Sequence, residues 1–447
     1  MQNLIPMVPV DATQSNPAIR LAKGRYQMWR RVIAGALTLL FLLAPWLQIN
    51  GAPLLWMDLP NRELHLLGLT LWPDDLMILI WVSLAAALGL FTVATFSGRL
   101  WCGFACPQTI WSMMFTWVEE KTQGSRNQRL KELSLPVWQR RIIPIILKHL
   151  AWWLIALVTG FTFVAFFETG EVLSNALLNL DLDGEQIFWL AFFSIFTYLN
   201  AGWLREQVCL HMCPYARFQS VMMDQKSLRV HYQSDRGEPR KEEGDCVDCQ
   251  LCVQVCPVGI DIRDGLQYAC IDCGACIDAC DDIMTKINKP KGLINFSYPG
   301  FANKSFTDLF KNRAKLWGYG ACTMASVALL LLQLNYLEKL DAHLSRDRGQ
   351  LYHYNSQGHI ANGFTLKVHN KNQIGKQYSI QPVTPGLSLN QALQLELPAG
   401  DKRTVAFQVI CLEPCSLTGA ANVDIQVKSL DGKDELILSS RFFAPRI

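Results

Sequence analysis

The chain has 447 residues, half of them hydrophobic, with a formal net charge of +3 and a mean hydropathy of only +0.14. So apolar a composition with so low a mean requires a membrane-embedded part diluted by a large soluble one, and it excludes a disordered polar chain. The near-balance of charge, with basic residues spread along the chain, excludes a nucleic-acid-binding face.

Residues 1–31 form a tail that holds Arg20, Lys23, Arg25, Arg30 and Arg31. Five windows without a charged residue follow: Val32 to Ile49, Leu76 to Gly98, His149 to Phe167, Ile187 to Leu204 and Leu316 to Leu337. At about 1.5 Å per residue, 18 or more residues can cross a hydrocarbon core of about 30 Å. A buried soluble helix would explain any one of the shorter windows, but the flanking charges argue for spans. Eight Lys or Arg lie between Arg99 and Lys148, whereas Gly51 to Asp75 has only Arg62 and Thr169 to Gln186 has none. Lys and Arg in short loops mark the cytoplasmic side, so the pattern predicts five alternating spans. The tail and the segment between spans four and five are then cytoplasmic, and everything after Leu337 is outside. With 31 residues ahead of the first window and no small-x-small pattern soon after it, that window reads as a retained span.

Directly after the second window comes RLWCGFACPQ, which sets Cys102, Cys106 and Pro107 at a span end. After the fourth comes REQVCLHMCPYARFQSVMM, which sets Cys209, Cys213 and Pro214 alike. Each copy has an arginine upstream, Arg99 or Arg205, and paired methionines downstream. Parallel membrane repeats are a known building plan, and on that plan the two C-x3-C-P motifs face each other. On a helix, positions i and i+4 share a face, so each motif is predicted to present both thiols to one ion. Soft thiolates suit Cu(I) or an iron-sulfur centre. Packing as small buried residues is the competing reading, weakened by the repetition of spacing, proline and topology. His211, between the second pair, reads as a ligand, a proton relay or a plain interfacial residue. Cys322, alone in the fifth window, reads as packing.

Residues 244–290 carry GDCVDCQLCVQVCP and ACIDCGACIDAC, each with C-x2-C-x2-C-x3-C spacing. In this pattern three close thiolates cap one iron-sulfur cube and the fourth crosses to the other. The spacing therefore assigns Cys246, Cys249, Cys252 and Cys280 to one 4Fe-4S cluster, and Cys270, Cys273, Cys276 and Cys256 to a second. A structural zinc site closes with four ligands and has no use for the repeat. Asp281 stands after the second run where Pro257 stands after the first. The acidic residues Asp245, Asp248, Asp272, Asp278, Asp281 and Asp282 read either as steering for a basic donor or as a solvated surface.

Beyond a linker, 291–315, and the fifth window, residues 341–447 change to period two. Phe364, Leu366 and Val368 alternate with polar residues, as do Leu393, Leu395 and Leu397, then Val405, Phe407 and Val409, then Val423, Ile425 and Val427. Asp431-Gly432 predicts a tight turn between the last two strands. The region reads as an all-β sandwich of immunoglobulin type, without the Trp and the wide Cys spacing of antibody domains. Cys411 and Cys415 read as a local disulfide first and an external metal site second.

The order of five spans, two C-x3-C-P motifs, a module resembling two-cluster bacterial ferredoxins and an external immunoglobulin-like tail resembles the cytochrome c oxidase accessory protein family of FixG or CcoG type, membrane-bound polyferredoxins. That resemblance implies a bacterial inner-membrane protein, with an α+β ferredoxin-like module inside and an immunoglobulin-like domain in the periplasm. It implies assistance to maturation of cbb3-type cytochrome oxidase by reduction of Cu(II) to Cu(I), with oxidase subunits or copper-delivery proteins as partners. The implied enzyme is a cupric reductase whose redox site is Cys102, Cys106, Cys209 and Cys213. In a variant those four thiolates hold a third iron-sulfur cluster. Two other readings stay open: a quinol-linked polyferredoxin like the nitrate and nitrite pathway subunits, and a non-enzymatic assembly scaffold or redox sensor.

Overall fold

The computed structural model describes residues 18–445 apart from short stretches at 50–51, 61, 224–225, 266, 299–312, 336–338, 348, 356, 373, 413–417 and 433. Most of the tail, most of the predicted linker and Cys415 lie outside the described residues. Two compact units, Met1–Leu331 and Leu332–Ile447, make up the chain.

Among the described residues four helices are long and apolar enough to cross a membrane: Met77–Ser97, Ile142–Val164, Gly184–Leu204 and Ala314–Asn335. Their outer faces are apolar and uncovered; Ile142, Ile143, Ile146, Leu150 and Leu154 all stand exposed along one side of the second of these helices. A surface of that kind needs lipid, because water would impose the full hydrophobic cost. Gly160 lets two of these helices touch, since a Cβ there would lie 2.4 Å from Ser194 Oγ. Cys322, predicted to pack, is instead exposed on the last of them.

The first predicted window differs. Its helix is Arg25–Leu43, and the chain turns at Ala44 to Trp46. Three arginines occupy the first two turns, so the charge-free helical part is only about 18 Å long at about 1.5 Å per residue. Counting uncharged residues ran on through Pro45, which stops a helix. The helix nevertheless extends from Arg30, which donates to the Gly103 carbonyl at 2.8 Å, to Phe41, whose ring meets Phe166 at 5.6 Å.

The ferredoxin-like module packs within the first unit. Strands Arg229–Tyr232 and Ile294–Ser297 pair antiparallel. Helices Leu251–Gln254 and Ala275–Lys286 cover them, with Val230, Tyr232, Ile277, Met284 and Leu293 buried between. Each cysteine run takes up the same loop: Asp248 and Gln250 have φ of 53° and 55°, and Asp272 and Gly274 have 51° and 72°. Asp and Gly are among the few residues that accept this left-handed conformation cheaply.

The second unit is a two-sheet all-β sandwich. One sheet orders Leu387–Leu389, Lys402–Cys411, Ile360–Asn370 and Leu340–Arg346, with His353–Tyr354 added beside the third. The other orders Leu393–Leu397, Lys376–Pro382, Ala420–Ser429 and Glu435–Phe443. Phe364, Leu366, Leu397, Phe407, Val423 and Ile425 fill the space between. The predicted turn joins the last two strands, with Gly432 at φ 71°. Cys411 is disulfide-bonded.

Candidate functional site

Eight thiols of the ferredoxin-like module line two cavities. Cys246, Cys249, Cys252 and Cys280 line one, with Tyr232 and Arg263. Cys256, Cys270, Cys273 and Cys276 line the other, with Cys252 on its edge. The fourth cysteine of each run thus stands with the first three of the opposite run. Among the described residues no three His, Cys, Asp or Glu side chains converge closely enough to hold a single ion. Four thiolates on one zinc at about 2.3 Å would sit about 3.8 Å from one another. Thiols spread around a cavity fit a cube with irons at its corners instead. Burial pushes Cys252, Cys256 and Cys280 up to about 12 and Cys270 and Cys276 well above their usual range. Bare thiols here stay protonated at neutral pH, so loading the site must release protons.

The acidic residues around these runs are mostly structural. Asp272 is buried and accepts from the backbone N–H groups of Val230 at 3.0 Å and Arg99 at 3.1 Å. Asp278 accepts from those of Tyr26 and Gln27. Asp248 pairs with Arg263 and Lys241, and Asp245 with Arg236 and Lys289. Asp281 accepts from the Gly292 N–H at 2.8 Å, and Asp282 pairs with Lys286. A free acidic face is therefore not what the sequence pattern builds.

The two C-x3-C-P motifs correct the shared-helix expectation. Cys102 lies on the short helix Leu100–Phe104, but Cys106 is extended, with ψ 127°, and caps a new helix that starts at Pro107. Cys213, with ψ 112°, caps the helix starting at Pro214 in the same way. A residue before proline is sterically driven out of the helical region, and proline itself suits the first helical position. The two thiols of a motif are thus not stacked on one helix face. The carbonyl that Pro107 leaves free, that of Gly103, is taken by Arg30.

The motifs nevertheless meet. Cys102 Sγ donates to Gln219 Oε1 at 3.2 Å, across to the helix that follows the second motif. Burial pushes Cys102 up to about 11, with Cys106 and Cys213 adding to the rise. Burial likewise pushes Cys209 up to about 12, with Cys106, Cys102 and Cys213 contributing. All four thiols therefore sit within electrostatic reach of one another, although no three of them converge closely enough here to hold one ion.

The first motif is also pressed against the ferredoxin-like module. Arg99 donates to the carbonyls of Tyr268, Cys270 at 3.2 Å and Ala216 at 3.0 Å. At Gly103 an added Cβ would lie 2.7 Å from the Ile271 carbonyl oxygen and 2.9 Å from that of Asp272. Cys102 and Leu210 pack on the apolar cluster that holds Val255, Ile271 and Cys273. Sequence reading missed Gln219, Glu119 and Arg30, which no motif marks. His211 is exposed beside this face.

Comparison with known proteins follows the same division. Residues 79–123 match a 4Fe-4S binding domain, and 204–244 and 239–299 match a 4Fe-4S dicluster domain. The first two of these stretches contain the C-x3-C-P motifs. Residues 330–445 match the IG-like fold at the C-terminus of FixG. Protein RdxA of Cereibacter sphaeroides is 34% identical, over 82% of this chain and 80% of its own. Protein RdxB of the same organism is 32% identical over 90% of each chain. The nitrogen fixation protein FixG of Rhizobium meliloti is 31% identical over 89% of this chain and 84% of its own.

Proposed function

The chain belongs to the FixG-type family of membrane-associated iron-sulfur electron-transfer proteins, and from that premise we propose that it delivers single electrons to Cu(II) at the paired C-x3-C-P thiols. In this reading Cys246, Cys249, Cys252 and Cys280 hold one 4Fe-4S cluster, and Cys270, Cys273, Cys276 and Cys256 hold a second. Such clusters supply one-electron transfer without bond chemistry when bound. One observation carries the reading: Arg99 and Gly103 fix the first thiol motif directly on the loop of Cys270 and Cys273, while Gln219 ties it to the second motif. Cu(II) is the substrate, and each ion takes up one electron to become Cu(I). Soft sulfur ligands favour the reduced ion.

The proposed setting is a bacterial inner membrane, with the tail and the ferredoxin-like module cytoplasmic and the sandwich periplasmic. Loop charges support that orientation. The proposed role is maturation of the copper site of a cbb3-type cytochrome c oxidase, with its subunits or copper-delivery proteins as partners. A second reading is favoured by the 4Fe-4S matches over both C-x3-C-P segments: Cys102, Cys106, Cys209 and Cys213 hold a resident third cluster. Iron analysis of anaerobically purified protein separates the two, at about eight against about twelve irons per chain on four irons per cluster. Copper capture by the four thiols, with about eight irons, supports the first; about twelve irons with no copper bound there overturns it.

A further inference from the structure

A cavity of about 320 Å³ opens beside the second thiol motif. Its walls come from the helix Ile142–Val164, the end of the helix Gly184–Leu204, the segment from Arg205 to Leu210, Ile19, Glu119, and Pro257 with Val258 of the ferredoxin-like module. The backbone around it is unusual. Leu199–Leu204 and Val208–Met212 are both π-helical, and Arg205 between them has φ 44°. Wide π turns and left-handed non-glycine residues cost free energy and concentrate at functional sites. Here they swing Arg205 and Glu206 toward the cavity.

The lining selects the ligand. Trp203, 67% exposed, gives a flat apolar wall, whereas the Trp152 ring is buried beneath the cations. His149, whose Nδ1 lies 2.8 Å from Tyr198 Oη, and Glu206 add groups able to donate and accept. The cations are already committed. Arg205 pairs with Glu119 at 2.9 Å and Lys148 lies 3.9 Å from the same carboxylate. Both also lie over the Trp152 ring, at 5.5 and 4.7 Å. Arg129 reaches the same carboxylate at 3.3 Å, so each of these cations already has an acidic partner that it would have to leave for an anion, and the exposed indole of Trp203 sets the preference for a ring. A neutral aromatic ring with polar oxygens fits: the Trp203 face stacks on it and the polar groups bond its oxygens. The position at the ends of two apolar helices calls for a lipid-soluble molecule. Leu210 and Pro257, also in the lining, adjoin Cys209 and Cys256 in sequence, so the ligand lies between two sets of thiols.

We propose that this cavity binds the headgroup of a lipid-soluble quinone or quinol, with Trp203 as a stacking wall and His149, Lys148, Arg205 and Glu206 around its oxygens. The inference rests on the electron-transfer reading above and adds to it a ligand of redox class. Ionisable residues are scarce in the middle of the spans, but this site draws them from the span ends.

The test uses the full cluster-bearing chain in nanodiscs and decylubiquinone as probe, with bound quinone measured by equilibrium dialysis. Native protein and W189A, which removes an indole elsewhere on the same helix, are expected to bind saturably and alike. W203A is expected to weaken binding at least tenfold while iron and acid-labile sulfide stay at native levels. Non-saturable uptake, equal weakening in W189A and W203A, or displacement of the probe by glycerol phosphate would overturn the proposal, the last in favour of a lipid headgroup. Cu(II) reduction by the dithionite-reduced protein is measured on the same samples. Copper reduction without quinone binding removes this site and leaves the copper reading standing; quinone binding without copper reduction does the reverse.

Discussion

The two C-x3-C-P copies share spacing, proline, upstream arginine and position at a helix end, yet the fold uses them differently. In the first copy Arg99 is buried and bonded to three carbonyls and its glycine abuts the Cys270–Cys273 loop. In the second, Arg205 turns away to Glu119 and Trp152, and its flanking π turns open a cavity. A duplicated motif has become one anchored half and one open half. On the proposed reading, the four-thiol site is held together by the first and made accessible by the second.

That asymmetry has consequences in order of size. Arg99→Ala should cost about 3–5 kcal/mol, because it strands the three carbonyls that the guanidinium bonds. Arg205→Ala should cost less, since Arg129 and Lys148 still face Glu119. Thermal unfolding, with iron per chain as a second reading, checks the ranking; equal losses would mean that the copies are equivalent. Gly103→Ala should cost about 1–3 kcal/mol, since the obstructing atoms are backbone and cannot swing aside. Leu210→Ala, at the matching position of the other copy, should cost about 1 kcal/mol or less because its side chain is only half-buried. The reverse order would remove the anchored half from the account.

The smallest effect is in thiol reactivity. In metal-free protein Cys102 is raised to about 11 and Cys209 to about 12. Alkylation follows the thiolate, so near pH 9 Cys102 should react faster than Cys209. The stability sign follows from the same shifts. Both thiols are raised above their usual value, so their contribution is full below about pH 9 and lost as pH rises through about 11 and then about 12. Mass-spectrometric alkylation rates between pH 8 and 10 test this; a faster Cys209 would contradict it.

Much of this was legible in the sequence, and the failures have physical causes. Period-two patterning located the sandwich because its strands bury one face, from Phe364 to Val427. The cysteine spacing located the thiol sets, because short loops fix which sulfurs share a cavity. The shared-helix expectation failed at Cys106 and Cys213, where the following proline forces an extended residue. Counting uncharged residues overestimated the first helix, which ends before Pro45. The acidic residues read as donor steering or a solvated surface, but backbone N–H groups and basic partners take up Asp245, Asp248, Asp272, Asp278 and Asp281, and Asp282 alone stays exposed beside Lys286. Gln219 and Glu119 carry no motif, since Gln219 meets Cys102 only through the fold and Glu119 gathers Arg129, Lys148 and Arg205 from separate elements.

The most direct test of the central claim is Cu(I) formation, trapped by a Cu(I)-specific chelator, after anaerobic, dithionite-reduced and desalted protein meets Cu(II). Native protein is compared with the Cys102→Ser, Cys106→Ser, Cys209→Ser, Cys213→Ser variant at matched iron content of the ferredoxin-like module. The account predicts rapid Cu(I) release from the native protein and its loss in the variant. Equal yields from both would mean that copper is reduced without the paired thiols, and would contradict it.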